Sequence, residues 1–275
     1  MHTLTVLGTN PKDPAEGRDY SYPAQWSECT IAQLGLVAAL TSVGIDPDAD
    51  DETRERAMAH VRLRLLHELT CMADAVFAKI EVTDLLSVMA DADGAERVAL
   101  LPSLDWCFAE PLFDESLVPE VVVRGTRYQG PTKRLGRFSL KQWGMCDLLM
   151  GQLAKSADPK DLHHLLGALY HQAGTEWNNE GIEARGAELA KLDDRTKLAA
   201  VMNYRGLRAW MARKYRAAHR GGKADPHGLQ GMVVRLAGPK FGTVQETYSA
   251  NVHDVLVHVE QSIEEAQRQN NTPKA

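Results

Sequence analysis

Reactive chemistry in this chain would have to come from two small groups of residues. The first is His163-His164 with His171. On a single helix His164 and His171, seven apart, share a face. Metal binding needs convergent imidazoles, usually joined by a carboxylate or thiolate. A two-turn spacing is wider than the one-turn spacing of a zinc-binding HExxH helix. The neighbours Leu162, Leu165, Leu166 and Leu169 are those of a packed helix. The favoured reading is polar helix-surface histidines, with no metal and no cofactor. The second group is His67 and Cys71, one helical turn apart. That spacing suits a thiol–imidazole dyad or a metal. A dyad also needs an oxyanion donor and an orienting group, and Leu65, Leu66 and Leu69 again describe a packing helix. A metal- or thiol-dependent helical enzyme is therefore the least favoured of three functional classes.

A third feature points to binding. The run from Tyr204 to Lys223 reads YRGLRAWMARKYRAAHRGGK. Unrolled at 100° per residue, Arg205, Arg208, Arg213, Arg216, His219 and Arg220 fall within less than half the circumference. Tyr204, Leu207, Met211 and Tyr215 fall on another face. Such a helix can meet nucleic acid, an acidic partner or a membrane surface. It can equally dock its Tyr/Leu/Met face and leave the arginines to solvent and acidic neighbours, which is the favoured reading. Arg205, Arg208, Arg213, Arg216 and Arg220 are the candidate partner- or polyanion-binding residues.

The rest of the chain narrows the choice. Its 275 residues are 44% hydrophobic and 25% charged, so a globular core is expected and general disorder is not. A net charge of -6 argues against a globally basic nucleic-acid binder. There is no GxxxxGK[ST], no GxGxxG after a strand and no GxSxG. The paired carboxylates Glu264-Glu265 and Asp193-Asp194 read as solvated charge. Cys29, Cys71, Cys107 and Cys146 form no CxxC pair and read as reduced, mostly packed thiols. The N-terminus lacks the basic and apolar regions of a signal peptide, and the apolar stretch Ile31 to Val43 is too short to span a bilayer. The expected location is the cytoplasm of the producing cell or a particle assembled there, with no membrane partner.

The elements that would position these residues are mostly helices. Thr30 begins one that runs to about Val43. Met58, Val61, Leu65, Leu66 and Leu69 mark a second, and a further stretch covers Thr83 to Met89. Pro102 and Pro111 bracket a turn-rich connection. Residues 117–130, LVPEVVVRGTRYQG, are β-branched and read as a hairpin or two extended arms. Ser139 caps a helix holding Trp143, Leu148, Leu149 and Leu153. Asp158-Pro159 starts the next. A long helix covers Asp194 to about His219, and a last one Tyr248 to Gln269 with Val252, Val255, Leu256, Val259 and Ile263 as its stripe. The expected fold is mainly α, a helical domain with a small β element near residues 117–130. Its parts are an extended N-terminal arm over 1–27, the helical domain over 28–220, and a C-terminal loop and long helix over 221–275. Gly221-Gly222 is the expected hinge.

Several short motifs share one order. Trp26-Ser27-Glu28-Cys29-Thr30 opens a helix in the manner of a W-x-E-L-T signature. An extended segment ends in Tyr128-Gln129-Gly130-Pro131, and Phe138 leads into a helix. Leu165-Leu166-Gly167-Ala168-Leu169-Tyr170 resembles an L-L-A-x-L-Y run. Over residues 22–215 this arrangement resembles uncharacterised helical proteins of phage and prophage structural gene clusters, some of them in the place of tail-assembly proteins near the tape-measure gene. Cys29 stands where the usual residue is Leu, and His171 follows Tyr170 where the pattern has Arg-Pro.

The resemblance implies a non-enzymatic virion structural or tail-assembly protein acting through protein–protein surfaces, and it carries over no catalytic residues. Other virion or assembly proteins are then the partners, with a homo-oligomer open as well. A nucleic-acid-associated regulator using residues 204–223 is the alternative. The arm and the Val121–Gln129 segment are the expected strand-pairing or groove-docking parts. The last helix is expected to pack on the domain or on a sister subunit.

Overall fold

Thr30 sets the first helix, α1 (Ile31–Thr41). Its hydroxyl accepts from the Gln33 amide while Gln33 reaches back to the Thr30 N–H, a full capping box. The computed structural model describes residues 2–5, 19–42, 50–71, 102–156, 158–219 and 228–271. The stretch Thr83 to Met89, the Gly221-Gly222 hinge and Arg220 lie outside the described residues. The described chain is mainly α with small antiparallel β elements, as the sequence leads one to expect. Two compact units are formed, one by Met1–Pro111 with Asp194–Met202, the other by Leu112–Asp193 with Asn203–Ala275.

In the first unit β1 (His2–Thr5) pairs antiparallel with β2 (Asp19–Tyr22), so the expected arm holds a two-stranded sheet. α2 (Asp51–Cys71) opens on Asp51 and Glu52, whose charge suits a helix N-terminus. It buries Leu63, Leu65, Leu66 and Leu69, while Met58 and Val61, in its first half, are only half-buried. Gln33 donates from Nε2 to the Leu69 carbonyl at 3.5 Å, tying α1 to α2. The rings of Trp26 and Trp106 meet edge to face at 5.1 Å.

The second unit begins its regular structure with β3 (Glu120–Val123) and β4 (Thr126–Gln129). Arg124 and Gly125 link them with φ of 50° and 81°. A two-residue turn with both φ positive matches the twist of the strands it joins. A third strand, β5 (His171–Gln172), pairs with β4, giving the sheet order β3-β4-β5.

Ser139 caps α3 (Leu140–Ser156) through the Gln142 amide. Asp158 caps α4 (Pro159–Leu169), which has Pro at its first position. α5 (Ile182–Leu189) crosses α4 at two glycines. A Cβ on Gly167 would lie 2.1 Å from the Ile182 carbonyl oxygen, and one on Gly186 2.5 Å from that of His163. The last carbonyls of α4 are taken by side chains: Arg185 Nε donates to Gly167, and Trp177 Nε1 and Gln142 Nε2 to Ala168.

The expected long helix is α6 (Asp194–Lys214), and an interruption at Tyr215 separates it from α7 (Arg216–His219). α8 (Gly228–Leu236) follows. The expected last helix is likewise divided. Thr243 caps α9 (Val244–Ser249) with a second capping box, and Asn251 bridges to Ser139 before α10 (Val252–Asn271) begins. α10 buries Val252, Val255 and Leu256, while Val259 and Ile263 are half-buried. No described helix is long and apolar enough to cross a membrane.

Candidate functional site

The arginine run divides by burial. Tyr204, Leu207, Met211 and Tyr215 are all buried in the second unit, so the aromatic face docks as expected. Arg205, Arg208, Arg213 and Arg216 are exposed. Arg208 is ion-paired with Asp147 of α3, whereas Arg205, Arg213 and Arg216 have no ion pair among the described residues. The continuous basic face is narrower than expected. Ala209, between Arg205 and Arg213 around the helix, is buried, and Arg216 lies beyond the break at Tyr215. The Arg134 guanidinium and the Lys214 ammonium each lie 5.1 Å from the centre of the Trp210 ring.

The histidines do not converge. Tyr170 ends α4 in extended geometry, φ −118° and ψ 142°, so His171 belongs to β5 and does not share a helical face with His164. This corrects the single-helix expectation. No group of three metal-ligating side chains occurs among the described residues. His67 is half-buried on α2. The side chain of Cys71 lies outside the described residues. Cys29, Cys107 and Cys146 are buried free thiols. Burial, then the Glu28 charge, pushes the Cys29 thiol up to about 12. Burial raises Cys107 and Cys146 as well, the opposite of what a nucleophilic thiol needs.

An unpaired strand edge lies at β3. Gly130 donates its N–H to the Pro119 carbonyl at 2.8 Å, and the register pairs Glu120 with Gln129 and Val122 with Arg127. Antiparallel pairs alternate between bonded and non-bonded, and a two-residue turn fixes Val123 and Thr126 as bonded. The N–H and C=O of Glu120 and Val122 therefore point away from β4. No strand among the described residues takes them. The Val122 side chain is 54% exposed, while Val121 and Val123 are buried.

No family model, no curated protein and no solved structure matches this chain.

A cleft of about 250 Å³ reaches from Glu120, at the start of β3, across Gln129 of β4 to His171 of β5, and is lined also by Arg137, Phe138 and Gln142. That is smaller than the roughly 300–1,000 Å³ of pockets that enclose drug-sized ligands. Gln142 is only 5% exposed, and its Nε2 is bound to Ala168. Its Oε1 accepts no hydrogen bond among the described residues. His171 Nδ1 is buried without a partner, and burial holds the ring pKa below the usual 6.5. Arg137 is exposed and unpaired among the described residues. Glu120 is neutralised by Arg127 at 2.9 Å.

Gly130, in the lining of the cleft, packs on the buried Tyr170. Its hydroxyl donates to the Val118 carbonyl at 2.9 Å, and its ring lies where a Cβ on Gly130 would be, 2.1 Å away. One wall is the segment 132–138, in which Arg134 and Leu135 have φ of 54° and 57°. The strain is held from several sides. Arg134 N–H donates to Asp114, its guanidinium pairs with the Asp114 carboxylate at 3.0 Å, and His253 Nε2 donates to its carbonyl.

Sequence reasoning named the Val121–Gln129 segment but missed Arg137, Gln142 and the cleft. The only local signal was the β-branched run beside Gly125 and Gly130-Pro131.

Proposed function

We propose that this chain is a non-enzymatic structural or tail-assembly protein of a phage-like particle, acting through protein–protein surfaces. It works in the cytoplasm of the producing cell or within the particle made there. The observation that carries the protein–protein part is the open edge of β3, where two residues turn their backbone groups outward beside an exposed valine. Such an edge is a template for another chain unless it is blunted by charge, proline or a bulge. The phage-like part is supported by the ordered motifs Trp26 to Thr30, Tyr128 to Pro131 and Leu165 to Tyr170.

The test is mass and shape in solution, by light scattering with negative-stain imaging, alone and with the products of neighbouring genes. A ring, a defined oligomer or a stoichiometric complex is expected. A monomer that binds none of those products overturns the reading.

Arg205, Arg213 and Arg216, exposed and unpaired among the described residues, favour one second reading, a polyanion-binding surface. It requires DNA or RNA binding that weakens steeply with salt. Arg213→Glu with Arg216→Glu would abolish it.

A further inference from the structure

The β3 edge and the adjoining cleft have complementary chemistry that selects one kind of partner. The edge offers alternating N–H and C=O groups at Glu120 and Val122. Only another polypeptide backbone in extended form satisfies such a ladder, since a nucleic acid presents no matching N–H and C=O series. β3 has four residues, or about 13 Å at ~3.3 Å per residue. A cation stands at each end. Arg124 lies in the turn and Arg137 in the cleft, both exposed and neither ion-paired among the described residues. Between them the exposed side chain on the open face is Val122. Gln142 lines the cleft, and its Oε1 accepts no hydrogen bond among the described residues, which leaves an acceptor for a peptide N–H or an amide side chain.

We propose that the β3 edge and its cleft together bind an extended acidic peptide segment of a partner protein, paired strand to strand with Glu120–Val123, with an acidic side chain on Arg137. This rests on the protein–protein reading above and names the chemistry of the partner. The charge argues for a foreign segment. Among the described residues Arg137 in the cleft has no ion pair, whereas Arg124 at the turn already feels the Glu188 carboxylate, and β3 of a second copy would bring the same pair of arginines.

The experiment is selection of random heptapeptides displayed against the full chain, followed by fluorescence anisotropy of the selected peptide carrying a fluorophore. The expected peptides alternate β-branched residues and carry Asp or Glu near an end. Val122→Pro deletes an N–H that β4 does not use, and is expected to weaken binding at least tenfold. Arg137→Gln is expected to weaken it at least fivefold. A complementary test leaves the protein unchanged: N-methylation of the peptide amides that face β3 abolishes binding, and N-methylation of the alternate amides does not.

Absence of enrichment, or binding indifferent to Val122→Pro and to N-methylation, overturns the proposal. Peptides that need the edge but carry no acid and ignore Arg137→Gln also overturn it, yet leave the protein–protein reading standing. Displacement of the peptide by a dT oligonucleotide overturns it in favour of the polyanion reading.

Discussion

Two buried tyrosines give a sharp test of how the second unit is held together. Tyr170 and Tyr204 are both fully buried, and burial raises both phenol pKa values. The Tyr170 hydroxyl donates to the Val118 carbonyl at 2.9 Å, whereas the Tyr204 hydroxyl has no partner among the described residues. Tyr170→Phe keeps the ring against Gly130 but strips the buried Val118 carbonyl of its donor. Leaving a buried polar group unsatisfied costs about 1–3 kcal/mol. Tyr204→Phe removes a group already desolvated without compensation, so it is expected to leave stability unchanged or raise it by up to about 1 kcal/mol. The two variants delete the same atom, so transfer and volume effects largely cancel in their difference, at least about 1 kcal/mol. Urea melts followed by far-UV circular dichroism, each compared with wild type, measure that difference. Equal losses in the two variants would refute the reasoning, because the Tyr204 hydroxyl would then have to be hydrogen-bonded through a buried water.

Further outcomes follow from other parts of the structure. Val255→Asp places a charge at a fully buried position and is expected to cost at least about 3 kcal/mol, whereas Val259→Asp, at a half-buried position, costs clearly less; a urea titration separates them, and equal losses would contradict the burial of α10. Arg134 occupies a left-handed conformation with φ 54°, so Arg134→Gly is expected to be more stable than Arg134→Ala by about 1 kcal/mol, the reverse of the usual order, as thermal melts of the pair would report. His171 and His253 have ring pKa values lowered first by burial. The neutral ring is thus preferred in the fold, so stability is fully present above the unfolded value of 6.5 and falls as the pH drops from there through the lowered folded values. Melting temperature measured from pH 8 to pH 5 checks the sign, and a rise on acidification would contradict it.

The helices were legible because their signals are local. Thr30, Ser139 and Asp158-Pro159 each cap a helix where their chemistry puts one. The stripe Tyr204, Leu207, Met211 and Tyr215 is buried as its spacing requires. The hairpin followed from three valines and a glycine-containing turn. What was not legible is non-local. β5 is two polar residues, His171 and Gln172, and is a strand only because β4 lies beside it. His171 was therefore placed on a helix that Tyr170 ends. The division between α9 and α10 depends on Asn251 reaching Ser139 and Gly136, more than a hundred residues earlier in the chain. Arg137 carries no periodic or motif signal at all. Its place in the cleft is set by the turn at Arg134 and Leu135, a conformation that no local preference of those residues favours.

That turn connects the packing of the second unit to its surface. Left-handed arginine and leucine in succession cost on the order of 1–2 kcal/mol each, so the segment persists only because its surroundings over-determine it. Leu135 is fully buried, the Arg134 guanidinium is clamped between Asp114 and Trp210, and His253 fixes the Arg134 carbonyl while accepting from the Tyr215 hydroxyl at 2.7 Å. Tyr215 lies in the interruption between α6 and α7, whose first amides are capped by Glu260 of α10. The wall that carries Arg137 is thus braced by α6, α10 and the segment before β3. The proposed peptide would meet a wall already braced on several sides, and binding at a preformed edge avoids much of the ordering cost that a mobile loop would add.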